Sequence, residues 1–219
     1  MSRLALGTDS MAVYLSRGGE LQHLGTLHDE YTRTEELGQP VLRRVYSNPS
    51  ALFGHHVDTI VSAWPTLKPV RRVTNAASFQ DDLLFRSDSI LGSKSTAAHP
   101  PRIVARRADP LLYDGSSFDM LVRLAPLAPA YPLELPSYTS NADTTVTLRA
   151  RVAGSAPLPH ESGTLVDTWV VDMDFAGITS RLWIAKESRQ LIRQTIDLAP
   201  GVQLLTTRVG VDPAEPELR

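Results

Sequence analysis

Between Thr168 and Thr195 the chain reads TWVVDMDFAGITSRLWIAKESRQLIRQT, and this stretch restricts the fold more than any other. Side chains of an extended strand alternate between two faces, so Trp169, Val171 and Met173 share one side while Val170, Asp172 and Asp174 share the other. Ala176-Gly177 supplies the conformational freedom of a tight reversal, and β-type composition resumes from Ile178 to Ala185 around Leu182, Trp183 and Ile184. Lys186-Glu187-Ser188-Arg189 is a second polar turn, followed by a third strand from Gln190 to Leu198. Such a unit is an antiparallel meander with one face drier than the other.

The same grammar runs through the rest of the chain. Met11 to Leu15 ends at the turn Arg17-Gly18-Gly19, and Leu21 to Arg33 is again extended. Glu35 to Pro40 separates that segment from Val41 to Tyr46. Val57 to Ala63 and Val70 to Thr74 form the next pair, joined through Trp64 to Pro69, where two prolines interrupt the strand. Asp82 to Ser89 and Ile103 to Arg107 continue the series, with Gly92 to Pro101 predicted as a polar loop between them. Thr144 to Val152, Leu165 to Asp174 and Val202 to Val209 complete the strands of the second half.

One segment has helical spacing. In GSSFDMLVRLAPL, Gly115 to Leu127, Phe118, Leu121, Val122 and Ala125 fall on one face, Ser116 or Ser117 can cap the start and Pro126 ends it. Pro126, Pro129, Pro132 and Pro136 predict a stiff extended connection after it. The fold class that follows is mainly β: a curved antiparallel sheet or unclosed β-barrel with one short helix packed against its concave face. We expect a single β-rich domain over residues 1–210 and a flexible tail over 211–219.

Composition narrows the function by exclusion. A formal net charge of −2 over 219 residues gives no electrostatic case for nucleic acid, which calls for concentrated Lys and Arg. The absence of cysteine rules out disulfides and thiolate metal sites. No run approaches the roughly 20 apolar residues of a membrane-spanning helix, so no transmembrane segment is expected. The N-terminal residues lack the pattern of a secretory signal. The expected location is therefore cytoplasmic or peripheral on the cytoplasmic face of a membrane, and periplasmic if a signal peptide has been removed.

The segment DTWVVDMDFAGITSRLWIAKESRQLIRQT, together with LRARVAGSAPLP, resembles the C-terminal half of a bacterial domain family of unknown function that is similar in outline to the lipoprotein carriers LolA and LolB. The resemblance is carried by Trp169, Gly177, Trp183-Ile184, Ser188-Arg189 and Leu191-Ile192-Arg193, and it extends from Thr144 to Arg208. DTIVSAWPTLKPVRRV is similar to the earlier strand pair of such half-barrels, where a T-L-x-P turn reverses the chain. It implies an unclosed barrel whose hollow side meets an apolar ligand or a helix.

The candidate chemistry is sparse. GHHVD, Gly54 to Asp58, offers ligand types that zinc or copper uses, but His55 and His56 are adjacent on a strand and point to opposite faces. It reads as a polar strand entry. LHDEY, Leu27 to Tyr31, places His28 and Glu30 on one face, which reads as solvated. No G-x-S-x-G elbow occurs, Ser50, Ser137 and Ser162 have loop-like surroundings, and His23, His99 and His160 are scattered. Asp172 and Asp174, roughly 7 Å apart by strand rise, form a lone acidic pair. We therefore expect no catalytic residue, no metal and no cofactor, and a protein that is not an enzyme.

The arginine pairs Arg43-Arg44, Arg71-Arg72 and Arg106-Arg107 each place one member on the outer sheet face, where neighbouring strands would assemble a stripe for carboxylates, phosphate head groups or an acidic protein. The competing expectation is cross-strand pairing with Asp58, Asp81, Asp82 or Glu30. Trp64, Phe118, Leu121, Val122, Trp169 and Trp183 are the expected contacts on the concave face. The function that follows is a non-catalytic structural or assembly protein docking on a protein partner in a larger complex, membrane-associated ones included. The alternative is a carrier of a lipid or acyl chain, as an acylated protein bears, and a hydrolase without a recognisable motif ranks last.

Overall fold

The structure, a computed structural model, describes residues 4–36, 38–50 and 54–213. Its first meander consists of β1 (Gly7–Arg17), β2 (Glu20–Glu36), β3 (Gln39–Ser50), β4 (Gly54–Ala63), β5 (Pro69–Ala76), β6 (Phe79–Phe85), β7 (Ser89–Thr96) and β8 (His99–Arg107). A two-residue strand β9 (Tyr113–Asp114) leads through a 3-10 turn at Gly115–Ser117 into the helix α1 (Phe118–Leu124). The second meander is β10 (Pro132–Thr139), β11 (Thr144–Pro159), β12 (Leu165–Phe175), β13 (Ile178–Ala185), β14 (Leu191–Ala199) and β15 (Val202–Arg208). The segment from Thr168 to Thr195 is the meander its alternation predicts, with Ala176 at φ 56° and Gly177 at φ 79° in its first turn. Both positive values match the right-handed strand twist of a two-residue hairpin.

Antiparallel pairing of β1 with β15, from Met11 opposite Arg208 to Arg17 opposite Val202, stitches the two meanders together. The result is one 15-stranded sheet in the order β8-β7-β6-β5-β4-β3-β2-β1-β15-β14-β13-β12-β11-β10-β9. It is strongly curved and its ends do not pair into a barrel. Register shifts between Val13 and Tyr14, Val152 and Gly154, and Trp183 and Ile184 bend the long strands, because an extra residue on one strand raises the local twist.

The curl has a filling. On α1, Met120 and Leu121 pack with Tyr31, Leu42 and Ile60, whereas Val122 packs with Val13, Leu148, Val171 and Leu182. A seven-residue helix touches strands this far apart in the order only because the sheet wraps around it. Ala125 is extended at ψ 151°, as the residue before a proline prefers, so the helix stops at Leu124, ahead of Pro126 as expected, and Ala125 falls just outside it. The cap also differs from expectation. Asp114, two residues upstream of Ser116, accepts from its backbone N–H, and Ser117 makes no side-chain cap.

Where the ends of the sheet approach each other, side chains replace backbone pairing. Tyr138 of β10 packs with Leu83, Phe85, Ile90 and Val104 of the first meander. Asp143, in the turn after β10, receives Lys94 Nζ at 3.7 Å, Arg102 Nη2 at 3.2 Å and Arg106 Nη1 at 3.6 Å, while the Tyr138 hydroxyl donates to it at 2.6 Å. Burial alone would raise the Asp143 carboxyl, but these donors and cations hold it below the usual carboxylate range.

Several sequence expectations are corrected. Gly92 to Pro101 is not a loop: most of it belongs to β7 and β8 with a turn between. Its polar composition reflects exposure at the end of the sheet, where solvent and not a core faces most of the side chains. Asp82 to Ser89 is not one strand, since β6 ends at Phe85 and β7 starts at Ser89. The proline-rich connection ends at Pro132, where β10 begins; its prolines are tolerated because β9 pairs only with Ser137 and Tyr138 on that side. Val211 is not frayed, being 5% exposed and bridged to His160, and residues 214–219 of the expected tail lie outside the described residues.

Gly92 shows how tightly the first meander is drawn. At φ 155° its backbone lies so close to β6 that a Cβ would sit 1.9 Å from the Asp82 carbonyl oxygen. Gly92→Ala is expected to destabilise the protein by about 2 kcal/mol or more and to lower Tm by about 4 °C or more. An unchanged thermal melt would contradict this close approach.

Candidate functional site

Strand phase decides where the charged side chains go. Leu27, Asp29 and Tyr31 of β2 face the concave side, so His28 and Glu30 are turned away to solvent. Arg44 of β3 and Arg72 of β5 both stand opposite Ile60 of β4 and point inward with it, at 5% and 2% exposure. Arg106 stands opposite Ile90 and also faces inward, reaching the Asp143 carbonyl oxygen.

The buried arginines fasten the helix. Arg44 donates from Nε to Asp29 Oδ1 at 2.8 Å and from Nη2 to Asp29 Oδ2 at 2.7 Å, and its Nη1 reaches Asp119 Oδ1 of α1 at 2.7 Å. The Tyr31 hydroxyl donates to Asp29 at 2.6 Å and accepts from Arg123 Nη1 at 3.0 Å. Arg72 binds Asp81 through Nη2 and Asp114 through Nη1, each at 2.8 Å, and its Nη1 also reaches the Ser116 hydroxyl at 2.8 Å. Burial works against the Arg44 and Arg72 cations, but the surrounding carboxylates push both guanidinium groups above their ordinary range. Burial also pushes the Asp114 carboxyl up, with Arg72 opposing, and pushes the Tyr31 and Tyr46 hydroxyls up.

Beside this network lies a cavity of about 390 Å³, open to solvent on the concave side. Met11, Leu27, Leu191, Ile196 and Leu204 contribute apolar wall, and Asn48, His56, Asp58 and the stretch from Thr139 to Asn141 contribute polar wall. His56 Nε2 is 3.0 Å from Asp58 Oδ2, and the Thr74 hydroxyl donates to the other Asp58 oxygen. No cluster of three or more His, Cys, Asp or Glu able to hold a metal occurs among the described residues. His55 is exposed and His56 is not, as their adjacency on a strand requires. Asp172 is held by Arg181 at 2.6 Å, so the acidic pair with Asp174 is a surface contact.

The outer face holds the other member of each arginine pair. Arg43 and Arg71 both stand opposite Val61, so they share one row across β3, β4 and β5. Arg71 is spent on Asp82, with contacts of 3.0 and 2.7 Å. Arg107 is exposed but opposite Ser89, out of that row, which Ala105 occupies on β8. One member of each pair faces outward as expected, but the stripe is broken, since Arg107 lies out of the Arg43–Arg71 row and Arg71 takes the cross-strand pairing with Asp82. Around it the outer face of β6 to β8 is mixed: Leu84, Leu91 and Ala105 form an apolar cross-strand row, and Ile103, 80% exposed, stands opposite Ser93 and in line with Asp82.

Of the expected concave contacts, Phe118, Leu121 and Val122 are in place, Trp64 packs against the Met120-Leu121 cluster and Trp169 against the Val122 cluster. Arg33 lies over Trp64 at 4.0 Å and Lys186 over Trp169 at 4.6 Å, so each ring carries a cation. Trp183 is corrected. It stands opposite Val170, on the face away from the helix, and is fully buried with Ala156, Leu158, Ile192 and Val211. Beyond the bulge at Val152 and Gly154, the β11–β12 hairpin is tied back to Val211 through His160, so this side has a small core of its own. Asp29, Asp114, Asp119 and Arg123 carry no sequence signal of their role beyond the spacing of Asp119 and Arg123 on one helix face.

The fold and its filled concavity define a class, the unclosed β-barrel with an internal helix. A family model described as a protein of unknown function (DUF3108) matches residues 35–206, and the chain belongs to that family. No curated protein matches it in sequence. Among solved structures it is similar to a beta-barrel-like protein of domain of unknown function DUF1849 from Brucella abortus, with a TM-score of 0.53 and 11% identity over 95% of this chain and 98% of the other. That likeness supports the unclosed-barrel fold; the expected similarity to LolA and LolB is not among these findings.

Two measurements check the network. Arg44→Met leaves Asp29 and Asp119 buried without their cation and should cost about 3 kcal/mol or more, whereas Arg71→Met at an exposed pair should cost under about 1 kcal/mol. Equal losses in chemical denaturation would overturn the assignment of the helix lock. His56 and Asp58 contribute to the pH dependence from opposite ends of the range. The hydrogen bond to Asp58 raises His56 above its usual 6.5, so its contribution to stability is full below 6.5 and is lost as pH rises through the higher folded value. Burial would raise Asp58, but His56 and Thr74 hold it below 3.8, so its contribution is present above 3.8 and is lost as pH falls through the lower folded value. His56→Ala should therefore remove a decline in stability that begins above pH 6.5 in the parent protein.

Proposed function

We propose that the protein is a non-catalytic structural module that docks on an acidic partner within a larger assembly, using the outer face of β3 to β8. The observation that carries this reading is the division of labour between the faces. Inside, Arg44 and Arg72 are committed to holding the helix, and a nucleophile, base and orienting group are not assembled among the described residues. Outside, Arg43 and Arg107 are exposed, Leu91 at 36% exposure stands beside Ala105 next to Arg107, and Ile103 on the other side of Ala105 is 80% exposed. Apolar contact ringed by charge is the composition of a recognition surface, in which the apolar centre supplies affinity and the rim steers the encounter.

A carrier reading fares less well, because α1 and its ion pairs occupy much of the hollow that a lipid would need. No helix among the described residues is long and apolar enough to cross a membrane.

The test is co-purification from the native host under mild detergent, followed by reconstitution of the complex. Combined Arg43→Glu, Arg107→Glu and Ile103→Asp should weaken the purified complex by at least about tenfold and reduce its salt dependence, with Tm unchanged within about 2 °C. Retained binding in the triple variant, or lipid as the sole co-purifying species, would overturn the docking reading.

A further inference from the structure

The concave cavity contains polar groups that the helix lock does not use. Gln194 lies on β14 opposite Leu182 and Thr206, in the wall that otherwise presents Leu191, Ile196 and Leu204. It is 8% exposed, yet its Nε2 has no hydrogen-bond partner. Across the cavity, Asn48 Oδ1 is likewise buried and unpartnered. A buried amide left unpaired costs about 1–3 kcal/mol, which a bound molecule recovers if it supplies the missing donor or acceptor.

Size and charge then limit what that molecule is. The volume of about 390 Å³ lies at the small end of ligand pockets. It corresponds to roughly a dozen water volumes, enough for a short hydrocarbon chain with a head group. Anions are disfavoured because the cations that line the cavity are already taken. Arg44 is bound to Asp29 and Asp119, and Arg72 to Asp81 and Asp114, all at 2.7–2.8 Å. Asp58, held by His56 at 3.0 Å, adds another carboxylate to the wall. A carboxylate or phosphate head would meet these anions with no unengaged guanidinium to receive it.

We propose that this cavity binds a small uncharged amphiphile, its hydrocarbon body against Leu191, Ile196 and Leu204 and its hydroxyl or amide head hydrogen-bonded to Gln194. The site is independent of the docking face, since its residues lie on the opposite side of the sheet. Asn48 offers the head a second polar contact from the facing wall.

Isothermal titration calorimetry of the full chain at pH 8 with 1-octanol and with octanoate separates the alternatives, because the two share a chain length and differ in head charge. Octanol should bind, and octanoate at least about tenfold more weakly. Gln194→Leu makes the wall more apolar; if the amide holds the head, octanol should nevertheless bind at least about fivefold more weakly. Ile196→Trp should fill the cavity and abolish the heat, with folding of both variants confirmed by circular dichroism and Tm. Octanoate binding as tightly as octanol, no octanol heat in the parent protein, or an undiminished affinity in a folded Gln194→Leu variant would each overturn the proposal.

Discussion

Two buried arginines hold the interior together. Arg44 ties β2 and β3 to Asp119 on the helix, and Arg72 ties β5 and β6 to Asp114 just ahead of it. A helix of seven residues has no stability of its own; it persists because apolar contacts on two sides and charge-assisted hydrogen bonds at its start position it inside the curl. Desolvating those charges is expensive, and the expense is offset only because each guanidinium is met by two carboxylates in good geometry. The network specifies one placement of the helix, since rotating or sliding it would strand charges in a dry interior.

With the helix fixed, the sheet's curvature follows. The inner faces of β1, β11, β12 and β13 close on Val122, while β2, β3 and β4 close on Met120 and Leu121. The ends of the sheet meet across Tyr138 and Asp143 without completing a barrel. Backbone closure would demand continuous pairing of β8 with β10, and the short β9 that leads to the helix instead takes part of the β10 edge. Cross-seam arginines and Lys94 supply in side-chain contacts what the backbone does not.

This construction separates two kinds of surface. The concave side is mostly core and ion pairs with a small residual cavity, while the outer face of β3 to β8 leaves charge and apolar area to solvent. Opposite the helix, on the second meander, the β11–β12 hairpin encloses Trp183 in a small core of its own. Function proposed for either surface thus rests on side chains that the fold itself does not consume.

The sequence by itself determined most of the strands and turns and the single helix, because alternation, glycine and proline act over a few residues. The turn at Ala176-Gly177 and the stop before Pro126 are local chemistry and were legible. It did not determine the strand character of Gly92 to Pro101, whose polar residues look like a loop until β6 lies alongside. Nor could it say which member of each arginine pair turned inward: LHDEY drew attention to His28 and Glu30, while the working residues were Asp29 and Tyr31 on the other face. Trp183 carried the same ambiguity: it is buried, but on the far side of the sheet from the concave face where it was expected. Only the tertiary structure decided these, because period-two alternation states that two faces differ without stating which one the helix covers, and the partners of Arg44 and Arg72 lie up to 75 residues away along the chain.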